Sequence, residues 1–224
     1  IPTAPYFVVE DGVVTSCPLR YPCIVKPTQQ DASVGVDQAS VVTSLEQLQQ
    51  RVRFLFEQFA QPVLVEEFIP GREITLALVE IPELTLLPGT EVLFQYKNPD
   101  FWPILTYNAK WDVNSPEFNE TDYHFHAELS PELLARMQEI ARRAFSLLGC
   151  RDYARVDFRL RAGDNQPFVL ELNPNPEFAP DRGLANNLWA ANITHDQFTR
   201  QLVANALTRR QGQSARRFQT RMAS

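Results

Sequence analysis

The chain has 224 residues, 44% of them hydrophobic and three of them tryptophan, with a formal net charge of −6. That composition can bury a full core in one large or two small domains, and the net acidity argues against a nucleic-acid partner. Three cysteines, at 17, 23 and 150, form no metal-ligand spacing and point to a reducing, cytoplasmic compartment, while no apolar run approaches the ~18 residues of a membrane span. The first residue is Ile rather than Met, so the chain reads as the later part of a longer protein.

Tyr6-Phe7-Val8-Val9 is a short apolar run before turn residues and reads as one edge strand. Tyr21 to Lys26, in YPCIVKP, reads as a buried-type strand that Pro27 stops, so Lys26 projects from a strand end. The polar stretch 28–36, TQQDASVGV, is too long for a simple turn. Beside Lys26 it could fold over phosphates through backbone N–H groups and the Ser33 hydroxyl, or it could be a solvated connection. With one glycine, its own residues do not choose.

Thr43-Ser44-Leu45-Glu46 reads as a capping box, and Leu45, Leu48, Val52, Leu55, Phe56 and Phe59 recur behind it at helical spacing. Val63-Leu64-Val65 opens a strand that runs into Glu66-Glu67-Phe68-Ile69 before Pro70-Gly71 turns the chain into the alternation of Ile74, Leu76 and Leu78. Such a turn either joins two lobes or closes an ordinary hairpin. In a joint, Glu66 would accept from an adenine amino group, with Phe68 and Ile69 as apolar walls. Further on, Lys110 stands between aromatics in Tyr107-Asn108-Ala109-Lys110-Trp111, either snorkelling on the surface or reaching an anionic substrate. Ser130-Pro131 then caps a helix whose stripe runs from Leu133 and Leu134 through Met137, Ile140, Ala141, Ala144 and Phe145 to Leu148, with Gly149 as its stop.

The residues 151–178, RDYARVDFRLRAGDNQPFVLELNPNPEF, carry the clearest chemistry. Two alternating runs flank the turn signal Gly163-Asp164-Asn165, and parity puts Arg155, Asp157 and Arg159 on one face and Val169, Glu171 and Asn173 on one face. With the hairpin centred near Asp164, Asp157 opposes Glu171. Opposed carboxylates about 4.5–5.5 Å apart at Cβ need a positive charge between them. Two carboxylates and an amide oxygen without Cys or His suit Mg²⁺ or Mn²⁺, and magnesium usually shares itself with phosphates. The hairpin therefore predicts a nucleotide; a solvated sheet face neutralised by Arg155 and Arg159 is the plainer reading. Asn173-Pro174-Asn175-Pro176 stiffens the exit from the strand and favours the site. A last helix starts at the capping box of Thr194 and Gln197, turning Phe198, Leu202, Val203 and Leu207 inward, and the five arginines from residue 209 on read as a solvated, flexible tail.

In this order, the motifs IVKP with SVGV (Ile24–Pro27, Ser33–Val36), VEEFIPGRE (Val65–Glu73), AKW (Ala109–Trp111), ARVDF (Ala154–Phe158) and LELN (Leu170–Asn173) resemble the ATP-grasp superfamily, most closely its D-alanine–D-alanine ligase-like branch. The likeness covers about residues 3 to 209. It implies an α+β fold with two lobes gripping ATP, here 1–66 and 67–209, followed by the tail 210–224. It also implies that Lys26 and the loop through Ser33 hold phosphates, that Glu66, Glu67, Phe68 and Ile69 hold adenine, and that Glu73 holds the ribose. Asp157, Glu171 and Asn173 match the magnesium ligands, and Arg155 and Lys110 match the cations around the transferring phosphoryl group.

The activity so implied is an ATP-dependent carboxylate–amine ligase working through an acyl phosphate on small carboxylate and amine substrates, with a homodimer as an open option. Two departures stand out. Asp31-Ala32-Ser33 replaces the branch's Gly-Ser-Ser, and Glu177 and Arg182 replace a glycine and a serine that serve the second amino acid. They motivate the alternative of a non-catalytic nucleotide-binding sensor or scaffold. Because the family's N-terminal domain and an early phosphate lysine precede Ile1, the chain alone is expected to be inactive.

Overall fold

The computed structural model describes residues 1–180 and 183–222, with side chains through 211; Arg182 and most of the basic tail's side chains lie outside the described residues. Two antiparallel sheets organise the chain. The smaller has the order β1-β4-β2-β3, from β1 (Tyr6–Val9), β2 (Cys23–Pro27), β3 (Val41–Val42) and β4 (Val63–Glu67). The larger has the order β10-β9-β5-β7-β8, from β5 (Gly71–Glu80), β7 (Thr90–Phe94), β8 (Thr121–His124), β9 (Tyr153–Arg161) and β10 (Pro167–Asn173), with β6 (Leu84–Leu86) paired to β5. β4 and β5 therefore belong to different sheets, and the Pro70-Gly71 turn is a joint rather than a hairpin. Gly71 has φ of +144°, and a Cβ there would overlap the Leu160 carbonyl oxygen, so only glycine lets the joint pass this close to β9.

Each sheet buries one face under a helix. Helix α1 (Leu45–Phe59) lays Leu48, Val52 and Leu55 on Val25, Val63 and Val65 of the small sheet. Its cap sits one residue later than the sequence pattern indicates. The Ser44 side chain accepts from Gln47 N–H, and Gln47 in turn accepts from the Thr43 N–H and hydroxyl. Two short helices, α2 (Tyr107–Trp111) and α3 (Pro116–Asn119), follow β7. Helix α4 (Pro131–Leu147) begins at Ser130 and Pro131, ends before Gly149 at φ +67°, and packs Met137, Ile140, Ala141, Ala144 and Phe145 on Ile74, Leu76, Val156 and Phe158. Each large side chain buried this way contributes about 1.5–3 kcal/mol.

The other face of the large sheet is divided. Ala77 and Val79 lie under α5 (Gly183–Ala190) and α6 (His195–Met222), which supply Leu184, Leu188 and Phe198. The remainder of that face looks into a cleft. Helix α5 was not foreseen, since its residues show neither a cap nor a clear stripe. On α6 the Thr194–Gln197 capping box is present, but Val203 and Leu207 are exposed rather than inward. Beyond Leu202 the inward positions are polar: Asn205 donates to the Glu80 carbonyl, and Arg209 makes a paired contact with Asp152 at 2.7 and 2.8 Å. The helical backbone continues past Arg209, where the sequence reading had placed the start of a tail. No helix among the described residues is long and apolar enough to cross a membrane.

Candidate active site in the cleft between the sheets

The opposition of Asp157 and Glu171 is real, and it arises in an unforeseen way. Near the turn β9 and β10 pair as Leu160 with Pro167, Arg159 with Phe168 and Phe158 with Val169, a register that continued unchanged would set Asp157 against Leu170. A bulge at Leu170 slips the ladder by one residue, and the pairs become Asp157 with Glu171, Val156 with Leu172 and Arg155 with Asn173. The same bulge corrects the parity of Val169. It does not share a face with Glu171 but packs on the core side with Leu172, while Leu170 joins Glu171 at the cleft.

On the cleft face, Arg155 grips Asp157 through Nε and Nη2 at 2.7 and 2.8 Å, supplying the positive charge the opposed carboxylates need. The Asn173 amide bridges the two acids, donating to Asp157 Oδ2 at 3.1 Å and to Glu171 Oε1 at 3.0 Å. Burial pushes the Asp157 carboxyl above its ordinary range and Glu171 adds to this, with Arg155 opposing both. Burial acts upward on Glu171 too, yet the Asn173 hydrogen bond and the Lys110 charge hold it below the usual range. Among the described residues no group of three or more His, Cys, Asp or Glu side chains is placed to hold a metal. What converges here is two carboxylates and an amide, an incomplete set that fits a hard divalent ion taking its other oxygens from water and phosphates. Turning the amide over would present the Asn173 oxygen to such an ion.

Glu73 of β5 and Arg159 of β9 continue the same face, paired at 3.4 Å and both nearly excluded from solvent. Burial raises the Glu73 carboxyl despite Arg159 and lowers the Arg159 guanidinium despite Glu73. Arg159 also donates to the Gly71 and Pro103 carbonyls and lies between the Phe68 and Phe94 rings. Sequence reasoning treated it only as a neutralising charge. Its parity with Arg155 and Asp157 was the available signal, and the joint it braces was not visible in sequence.

The opposite wall belongs to the small sheet. Lys26 forms an ion pair with Glu66, bringing the residues assigned to phosphate and to adenine to one point. Phe68 and Ile69 are buried against the cleft. The backbone N–H groups of Glu67 and Phe68 donate to the Pro5 and Pro22 carbonyls, so the segment offers a ring its side-chain surface rather than those two donors. The Glu67 side chain turns outward to accept from Arg20 N–H. Ser33 stands at φ +62° and donates its hydroxyl to the Leu105 carbonyl at 2.7 Å, so the 28–36 loop already lies across the cleft. Lys110 on α2 faces the same space, where its charge acts on Glu73 and Glu171.

Ten of the twelve residues singled out from sequence thus line one cleft of about 910 Å³, open mouth included; Arg155 and Asn173 stand behind it on Asp157. Asp31 lines the cleft as well.

Residues 1–204 match the family described as D-ala D-ala ligase C-terminus. An uncharacterised protein of Sinorhizobium fredii is 37% identical over 179 residues, 79% of this chain and 49% of that protein. The D-alanine–D-alanine ligase of Cupriavidus pinatubonensis is 34% identical over 200 residues, 88% of this chain and 55% of that protein. The chain spans about half the length of the curated relatives it matches. Among solved structures, the D-alanine–D-alanine ligase of Bacillus anthracis superposes with a TM-score of 0.74 at 25% identity, covering 95% of this chain and 64% of that one. Its complex with ATP gives 0.71 at 23% identity, a likeness of fold.

Proposed function

Since this chain belongs to the D-alanine–D-alanine ligase family, we propose that it supplies the ATP-binding half of a ligase joining a small carboxylate to an amine through an acyl phosphate. The observation that carries this reading is the convergence of Arg155, Asp157, Glu171 and Asn173 on one wall, with Lys110 beside them and Lys26 and the Ser33 loop opposite.

Phosphoryl transfer asks a protein mainly for alignment and charge neutralisation. Asp157, Glu171 and Asn173 would hold Mg²⁺, which neutralises charge on the terminal phosphates when bound. Lys26 would leave Glu66 for a phosphate oxygen, freeing Glu66 to accept from the adenine amino group between Phe68 and Ile69, while Glu73 would meet the ribose. The substrate carboxylate oxygen attacks the γ-phosphorus, and the bond to the β-phosphate oxygen breaks, leaving ADP. Arg155 and Lys110 offset negative charge on the moving group. The amine nitrogen then attacks the acyl carbon, phosphate leaves and the nitrogen loses its proton.

Phosphate release by the full-length protein, measured with Mg²⁺-ATP and a pool of D- and L-amino acids, D-alanine first, tests the reading. Release that depends on an added amino acid supports it. Asp31 at the cleft, a carboxylate facing bound phosphates, favours a second reading as a nucleotide-binding sensor. ATP binding with no release across the pool would establish that one instead.

A further inference from the structure

Helix α2 is five residues long, far below the length at which a helix holds itself together, so the place of Lys110 has to be imposed from outside. The group that imposes it is a carboxylate absent from every motif discussed so far. Glu117, on α3, is 5% exposed and accepts from three donors. Thr106, the N-cap of α2, donates its hydroxyl to Oε1 at 2.8 Å while accepting from the Ala109 N–H at 3.1 Å. Asn108, in the first turn of α2, donates to Oε2 at 3.1 Å. Gln38, two residues past the 28–36 loop, donates to Oε1 at 3.1 Å.

Two of those donors belong to the segment that carries Lys110, and the third belongs to the strand connection that carries Ser33. The two segments meet nowhere else through a charged acceptor among the described contacts. Around it they are stitched by neutral bonds: Trp102 N–H to Gln38 at 2.7 Å, Tyr107 N–H to the Val36 carbonyl at 2.9 Å, and Trp111 Nε1 to the Ala32 carbonyl at 3.0 Å. Hydrogen bonds to an ionised acceptor are about twice as strong as neutral ones, which makes Glu117 the node of this seam.

We propose that Glu117 is a positioning residue whose buried carboxylate holds the Lys110 helix against the loop through Ser33, making loop closure and lysine placement a single event. The packing part of this inference stands on geometry alone, and the catalytic part rests on the ligase reading above.

Hydrogen exchange without nucleotide tests the packing part. In Glu117→Ala the amides of 33–38 and 102–111 are expected to exchange about tenfold faster or more, while those of α4 and β9 keep the wild-type rate. Glu117→Gln, which keeps the volume and loses the charge, should give a smaller change at the same amides. Unchanged exchange in those segments, or equal acceleration throughout the protein in both variants, would overturn the proposal.

Kinetics test the catalytic part. With Mg²⁺-ATP and the accepted amino acids, Glu117→Ala in the full-length protein should lower kcat about 10- to 100-fold and also raise KM for ATP, because the loop it tethers is one of the nucleotide's own contacts. In a Lys110→Ala background the same substitution should cost clearly less in kcat than it does in wild type, since the part of its effect that runs through that ammonium group is already lost. A full additional loss in that background overturns the positioning role. Full-length wild-type protein that releases no phosphate under any condition would refute the ligase reading and leave the exchange measurements to decide the link between the two segments.

Discussion

Strand β9 carries two regions of opposite character within nine residues. Val156, Phe158 and Leu160 are completely or almost completely buried against α4, while Arg155, Asp157 and Arg159 alternate with them on the cleft side. One backbone presents both sets, so whatever differs between the faces comes from side chains and from what lies opposite them. The apolar face meets a helix and stabilises the sheet. The charged face meets another sheet across a cleft, and there burial lifts the Asp157 and Glu73 carboxyls despite their pairing with Arg155 and Arg159. Groups held in that condition gain from a cation or a substrate in a way that a satisfied core cannot.

The sharpest way to break this contrast is Phe158→Ala. A fully buried ring removed from the core face should lower unfolding stability by about 3–5 kcal/mol, read by urea denaturation, with Mg²⁺-ATP binding by the folded fraction unchanged. Asp157→Asn should do the reverse. Its shape is kept, so stability should stay within about 1 kcal/mol, whereas ATP-driven phosphate release should fall about 100- to 1000-fold. If this variant unfolds as readily as the phenylalanine one, the two faces are not functionally distinct.

A milder effect is expected of Asn173→Ala, which removes the bridge between the acids. The Mg²⁺ concentration needed for half-maximal turnover should rise about 10- to 100-fold, with kcat at saturating metal largely recovered. The smallest effect concerns pH. Burial raises the Glu73 carboxyl, so its contribution to stability is present below the ordinary carboxylate range and is lost as pH rises through the raised value. Glu73→Gln lacks that loss, so its stability relative to wild type should improve between about pH 4 and neutrality. A constant or falling difference would mean that Arg159 fully compensates the charge.

Much of this was legible because strands and helices write their faces into sequence. The Ser130-Pro131 cap, the α4 stripe as far as Phe145 though not Leu148, which is exposed, the edge strand at Tyr6–Val9 and the pairing of Asp157 with Glu171 all follow from period and local chemistry. The pairing nevertheless depends on the bulge at Leu170, for which the sequence carries no distinct sign, and that bulge reversed the face assigned to Val169. Val203 and Leu207 kept the helical period yet face solvent, because α6 runs beyond the sheet that covers Phe198. Arg159 and Glu117 were passed over for a related reason. Their importance lies in partners tens of residues away: Glu73, Gly71 and Pro103 for one, Gln38 for the other.

The amino-acid order by itself determined which side chains share a face along an unbroken stretch of strand or helix, where α4 and α6 start, and which donor types β9 and β10 carry. Only the tertiary structure decided what stands across from each face: a helix over Phe158, a second sheet with Lys26 and the Ser33 loop over Asp157. Periodicity fixes direction relative to a local axis, since it follows from backbone geometry over a few residues. What fills the space in that direction is set by contacts between distant segments, and no local repeat encodes them.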